Sequence, residues 1–329
     1  MRKILIAALL AALSAHAEDV HVRVSPDVKT GTRGTTEFPT IQTALDHHPF
    51  ATPNANGTPG RVFIEIAPGT YHERIIVTQN HANITLLGTG KSPADTVITN
   101  SLSESQAGGT FFTETAEING AAFQADNLTF ANTATDGSPA VAIAVRSDRA
   151  IFKHVRILGN RHTLFADYGR QYYVDSYIEG GIHFIFGNAT AVFESDELHS
   201  LIPGVITTHS RAVPTDTTGY VILNSKVTSA HSGPVGLGDP WRTWSRTVFL
   251  HTELPANTDP AGWNDRDLPA NQKTAWYGEF ANTGPGATPS TRVHWAHQLT
   301  ATEAKAFLPA TFLAGPDHWN PIAEAAKLP

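Results

Sequence analysis

Residues 169–188 read GRQYYVDSYIEGGIHFIFGN. The run carries β-branched and aromatic residues, with polar or glycine interruptions too frequent for a helical face. Within it two large apolar residues, Tyr173 and Ile178, stand five apart, and His183 follows after five more. The same spacing recurs along the chain as Phe123/Leu128, Phe152/Ile157, Phe193/Leu198, Ile222/Val227 and Phe249/Leu254. The six first members are separated by 29, 21, 20, 29 and 27 residues. Repeats of this length built from short strands and turn residues belong to stacked-coil solenoids. No helical stretches alternate with the strands, so a single right-handed parallel β-helix is expected, an all-β fold; a β-sandwich with fortuitous spacing is the alternative.

Other segments agree. VFIEIA (62–67), IIVTQ (75–79), ITLLG (84–88), AVAIAV (140–145) and TVFLHTEL (247–254) read as strands. FPTIQTALDHH (38–48) reads as a short amphipathic N-terminal capping helix, and ATEAKAFL (301–308) as a helical C-terminal tail. Residues 255–272 and 281–290 are rich in Pro, Gly and Asn and are expected to be loops. The repeat also places two histidines: His162 follows Ile157 by five, as His183 follows Ile178. Equivalent residues of adjacent coils lie about 4.8 Å apart, so the two imidazoles should meet one rung apart.

Composition narrows the function. The chain of 329 residues is 41% hydrophobic, ample for a core. It opens with Arg2 and Lys3, an apolar run from Ile4 to Leu13 and then Ala15-His16-Ala17. This pattern predicts a cleavable signal peptide over residues 1–17, too short to span a bilayer, followed by one domain over 18–329. No later stretch suits a membrane span, so secretion or periplasmic export is expected. The chain has no cysteine, so no disulfide can support the core there. The formal charge is −7, and without Arg2 and Lys3 there remain 21 basic against 30 acidic residues. Nucleic acid is therefore not an expected partner, and an acidic polymer would need a local basic patch. A monomer is expected.

Several longer motifs, in order, resemble the pectin methylesterase family from about residue 36 to 318. FPTIQTALD (38–46), PGTYHERI (68–75), AAFQADNLTFANTA (121–134), residues 169–188, GLGDPWRTWSRTVFL (236–250) and GEFANTGPGA (278–287) carry the likeness. The resemblance implies the β-helix, pectic or other acidic polysaccharide as partner, no cofactor, and ester hydrolysis by two aspartates, an arginine and two glutamines. It also shows where this chain departs. The nucleophile's place falls on His183 and the general acid's on His162, preceded by Arg161 where a glutamine is usual. The second glutamine's place falls on Pro139 and the arginine's on Asp239. Trp241, which packs against sugar in the family, remains.

A covalent ester on aspartate requires a carboxylate at 183, and none stands there. Three readings follow. His162, His183 and Asp239 form a recognised two-histidine, one-carboxylate set for a divalent metal, which could generate hydroxide. Alternatively Asp239 orients an imidazole that activates water, with Arg161 facing the oxyanion. Thr163 and Ser147 read as turn and strand residues, and no nucleophile elbow appears. Lastly, the chain binds polysaccharide without chemistry, using Trp241, Trp244, Phe165, Tyr168 and Tyr172 as stacking faces. Phe165 and Tyr172 are equally readable as wall packing. Arg161 and Arg242 are the cations expected to meet a uronate carboxylate. Asp167 could replace Asp239, although a turn aspartate is the simpler reading.

Overall fold

The structure, a computed structural model, describes residues 19–28, 36–48 and 60–329. The signal-peptide segment lies outside the described residues. The strands form three parallel sheets, one of twelve strands and two of seven, and successive coils visit the three in turn. Arg170–Val174, Tyr177–Gly180 and Ile185–Gly187 are one such coil, contributing to the first, second and third sheets respectively. The molecule is a right-handed parallel β-helix.

The five-residue spacing has a simple cause. Tyr173 points inward from the first sheet and Ile178 inward from the second, and the corner between the strands is only Asp175-Ser176. The first corner residue adopts a left-handed conformation in coil after coil: φ is +49° to +58° at Asn127, His154, Asp175, Ser195, Asn224 and His251. Asparagine, aspartate and histidine tolerate that region better than most side chains. The second corner residue turns inward and links the rungs. Ser176 Oγ accepts from the Val155 N–H at 3.1 Å, Asp196 Oδ1 from the Ser176 N–H at 2.7 Å, and Ser225 Oγ from the Asp196 N–H at 3.0 Å.

Registers confirm five of the six expected repeats. Phe152, Tyr173, Phe193, Ile222 and Phe249 are consecutive partners in the first sheet, and Phe152, Tyr173 and Phe193 stack face to face at 4.8 and 4.6 Å. The sixth pair is displaced. Ala125, not Phe123, is the partner of Phe152, and Phe130, not Leu128, is the partner of Ile157. Phe123 and Ala125 lie two apart on one strand face and are both buried, which hides the shift from a hydrophobic pattern.

The ends match expectation in outline. Ile41–His47 is helical, capped by the Thr40 side chain, and packs Ile41, Ala44 and Leu45 inward. The C-terminal tail is several short turns rather than one helix: Ala301–Ala304, Lys305–Phe307, Pro309–Phe312 and Pro321–Ala325. Pro309 and Pro321 each start a new turn, since proline lacks the N–H that would continue one. These turns lay Phe307, Leu313, Trp319 and Leu328 over the outward face of the first sheet, covering Ile151, Tyr172, Val192, Val221 and Val248. Among the described residues no helix is long and apolar enough to cross a membrane.

Candidate active site

His162 and His183 each sit just before a strand of the third sheet, Leu164–Tyr168 and Ile185–Gly187, whose residues Leu164 and Ile185 are partners. The histidines are therefore one rung apart, as expected. Both have left-handed backbones, with φ of +59° and +51°, and their rings stack at 6.1 Å with an angle of 15°. Asp239 is the penultimate residue of the strand Val235–Pro240, two coils beyond His183. Its Oδ2 accepts a hydrogen bond from His183 Nε2–H at 2.9 Å, and both side chains are largely buried.

This bond fixes the imidazole. An ionised Asp239 holds the proton on Nε2, which leaves Nδ1 with its lone pair. Nδ1 makes no hydrogen bond among the described residues. His162 differs: burial first, then the charges of His183, Arg161 and Arg266, push its pKa down to about 4. It is neutral across the physiological range. Its Nδ1, like Oδ1 of Asp239, is buried without a hydrogen-bond partner among the described residues. Unspent polar atoms of this kind are uncommon and await water or a ligand.

The two histidines open into a cavity of about 190 Å³ whose other walls include Thr110, Phe111, Phe186, Thr208, Trp241 and Arg266. Trp241 faces Phe111 at 6.5 Å with ring planes 20° apart. Arg266, which no sequence motif singles out, brings Nε to 3.7 Å from Asp239 Oδ2. It arrives on part of the segment 255–272. That segment is not loop throughout: Thr258 and Trp263 bridge to Val235 and Gly238, adding a partial rung to the third sheet. The separation of Gly238 and Trp263 falls within the coil period, and that is the available signal for placing Arg266 over Asp239.

The other candidate residues disperse once placed in the fold. Arg161 and Arg242 do not line the cavity; Arg242 is exposed and lies over the Trp241 ring at 5.8 Å. Phe165 is 4% exposed and packs with Val141, Ala144 and Phe186 under Trp241. Tyr172 is buried beneath the C-terminal tail, with its hydroxyl donating to Glu194. Tyr168 is 66% exposed and away from the cavity. Asp167 pairs with Arg146 at 3.3 Å rather than with a histidine. Ser147 donates to the Gly120 carbonyl, and Thr163 is buried. Trp244 lines a different cavity, with Arg211 and Arg246.

The arrangement does not suit a metal. Among the described residues no group of three or more His, Cys, Asp or Glu side chains is placed to hold one. His183 Nε2 and Asp239 Oδ2 are spent on each other.

A parallel β-helix with ionisable and aromatic side chains gathered around a cavity at one sheet defines the class of fold and site. Comparison with known sequences and structures agrees. The sequence profile described as Pectinesterase matches residues 27–316. Pectinesterase 31 of Arabidopsis thaliana is 36% identical over 304 residues, covering 89% of this chain and 92% of its own. The solved pectin methylesterase from carrot superposes with a TM-score of 0.84 at 31% identity, over 94% of this chain and 97% of the other. A pectin methylesterase solved in complex with a hexasaccharide gives 0.74 at 26% identity, over 94% and 99%. The chain belongs to the pectinesterase family.

Proposed function

We propose that this chain is an exported monomer that hydrolyses carboxylic esters of a pectin-type acidic polysaccharide, with His183 as general base in place of a carboxylate nucleophile. The observation that carries the reading is the 2.9 Å bond from His183 Nε2–H to Asp239. It leaves the Nδ1 lone pair at the position the family resemblance assigns to the attacking group. Nδ1 takes a proton from water as the water oxygen bonds to the ester carbonyl carbon. The tetrahedral intermediate collapses, the carbon–methoxy bond breaks, and the imidazolium returns its proton to the departing methoxide. Methanol leaves, and the carboxylic acid left on the sugar gives its proton to solvent to become a carboxylate. Arg266, beside Asp239, supplies the positive charge that the developing oxyanion requires. Trp241 and Phe111 flank the sugar.

Methanol release from methylated pectin tests this, with and without chelator. The wild type should release methanol regardless of chelator, and His183→Gln should lose at least about a hundredfold in rate. Release abolished by chelator would favour the metal reading instead. The facing rings of Phe111 and Trp241 favour a second reading, binding without turnover. Absence of release, together with retention on a methylated-pectin column that Trp241→Ala abolishes, would select it.

A further inference from the structure

Trp244 leads to a second site. The cavity it lines is about 550 Å³ and shares no lining residue with the His183 cavity. Its walls include three indoles, Trp244, Trp276 and Trp295, and three strong cations, Arg211, Arg246 and Lys273. No aspartate or glutamate lines it. None of the three cations has a carboxylate partner within ion-pair distance among the described residues. In a chain of net charge −7, a pocket walled by three unpaired cations runs against the overall field.

The pocket is held in shape before any ligand arrives. The Trp244 N–H donates to the Arg211 carbonyl at 3.1 Å, which ties the two segments together. Arg246 donates to the carbonyls of Thr217 and Thr218, and Arg211 Nε to that of Val213 at 3.2 Å. Burial, followed by the neighbouring charge of Arg211, lowers the pKa of Arg246 to about 10, so the two guanidinium groups are held together at an electrostatic cost. Trp276 is covered by His297 at 5.0 Å and Phe307 at 5.4 Å. Trp244 makes no ring contact among the described residues, which leaves its indole free for stacking.

We propose that this pocket binds an unesterified uronate residue of an acidic glycan, its ring on Trp244 and its carboxylate between Arg211, Arg246 and Lys273. The assignment rests on the reading of the chain as pectin-directed and goes beyond it, because the pocket selects the free acid rather than the ester. Guanidinium and ammonium groups gain a charge-assisted hydrogen bond from a carboxylate and none from its methyl ester. The second site would thus hold de-esterified stretches of the polymer in whose ester-bearing stretches the first site works.

The test titrates the chain with an unesterified oligogalacturonate and with its fully methylated counterpart, read by calorimetry. The wild type should prefer the free acid. Lys273→Glu, at an exposed position that leaves the core untouched, and Trp244→Ala should each weaken the free acid about tenfold, or about 1.4 kcal/mol. Trp241→Ala should leave that binding in place. Loss of free-acid binding in Trp241→Ala with none in the other two variants would overturn the second site and leave the first reading standing. Equal affinity for acid and ester would overturn it, as would displacement by inorganic phosphate at matching concentration. Failure to bind the free acid at all also overturns it, while methanol release separately decides the His183 reading.

Discussion

At the scale of single residues, two adjacent histidines have been given different tasks by their surroundings. His183 leans on a carboxylate; His162 is pressed against Phe186 at 4.8 Å and faces two nearby arginines. The folded pKa of His162, about 4, lies below that of a free histidine, so acid favours the unfolded chain, which binds the proton more readily. Its contribution to stability is complete above about pH 6.5 and is lost as the pH falls toward 4, by at most about 3 kcal/mol. Chemical denaturation of the wild type and of His162→Gln between pH 7 and 4 should show a steeper acid decline in the wild type. Parallel curves would refute the assignment. The places of both histidines are legible from spacing alone, because each follows an inward residue of the second sheet by five, and those two residues, Ile157 and Ile178, are partners. Arg266 and Phe111 are not, since their positions depend on how distant segments settle over the rung.

Among the structural elements, the corner between the first and second sheets is the most regular device in the molecule, and it contains one misfit. Asp196 stands in a column with Ser176 and Ser225, wholly buried, and its Oδ2 has no hydrogen-bond partner among the described residues. Burial raises its pKa well above that of a free aspartate, and the charges of Asp175 and Glu194 add to the effect. The folded state therefore holds a proton that the unfolded chain releases above about pH 4, and stability falls as the pH rises through that range. Asp196→Asn keeps the acceptor for the Ser176 N–H and removes the titration. It should stabilise the protein at pH 7 by about 1–3 kcal/mol, with the gain vanishing near pH 3. A variant less stable than wild type at pH 7 would contradict this. The same corner explains what the repeat discloses and what it conceals. The five-residue spacing holds from the coil of Ala125 and Phe130 onward, but two inward residues on one strand compete for the first of them, as Phe123 and Ala125 do. Proximity in sequence groups Trp244 with Trp241 in one cleft, yet the chain turns a corner between them, into the strand Arg246–Leu250 of a different sheet.

For the molecule as a whole, the tail is the element on which the long sheet depends. It shields a stripe of apolar side chains, and Arg170 anchors it through Asp317 and the Ala314 carbonyl, with Lys153 holding the final carbonyls. Ending the chain after Thr300 should cost at least about 5 kcal/mol, much of the stability of a typical protein, and expose a surface that binds hydrophobic dye. Melting within about 2 °C of the full chain would disprove that role. The sequence pattern marks a helix there but not its docking, because the prolines break the apolar period that would have marked a buried face. One further consequence follows from coil length. The coils that carry His162 and His183 are the shortest of the repeat, at 21 and 20 residues, and have no spare chain to arch over their own histidines. The roof is borrowed instead: Phe111 descends from an earlier turn of the solenoid and Arg266 from a later one. Floor and ceiling are thus separately editable parts, so a lineage could retailor the mouth of this cleft by exchanging either overhang without disturbing a single rung beneath it.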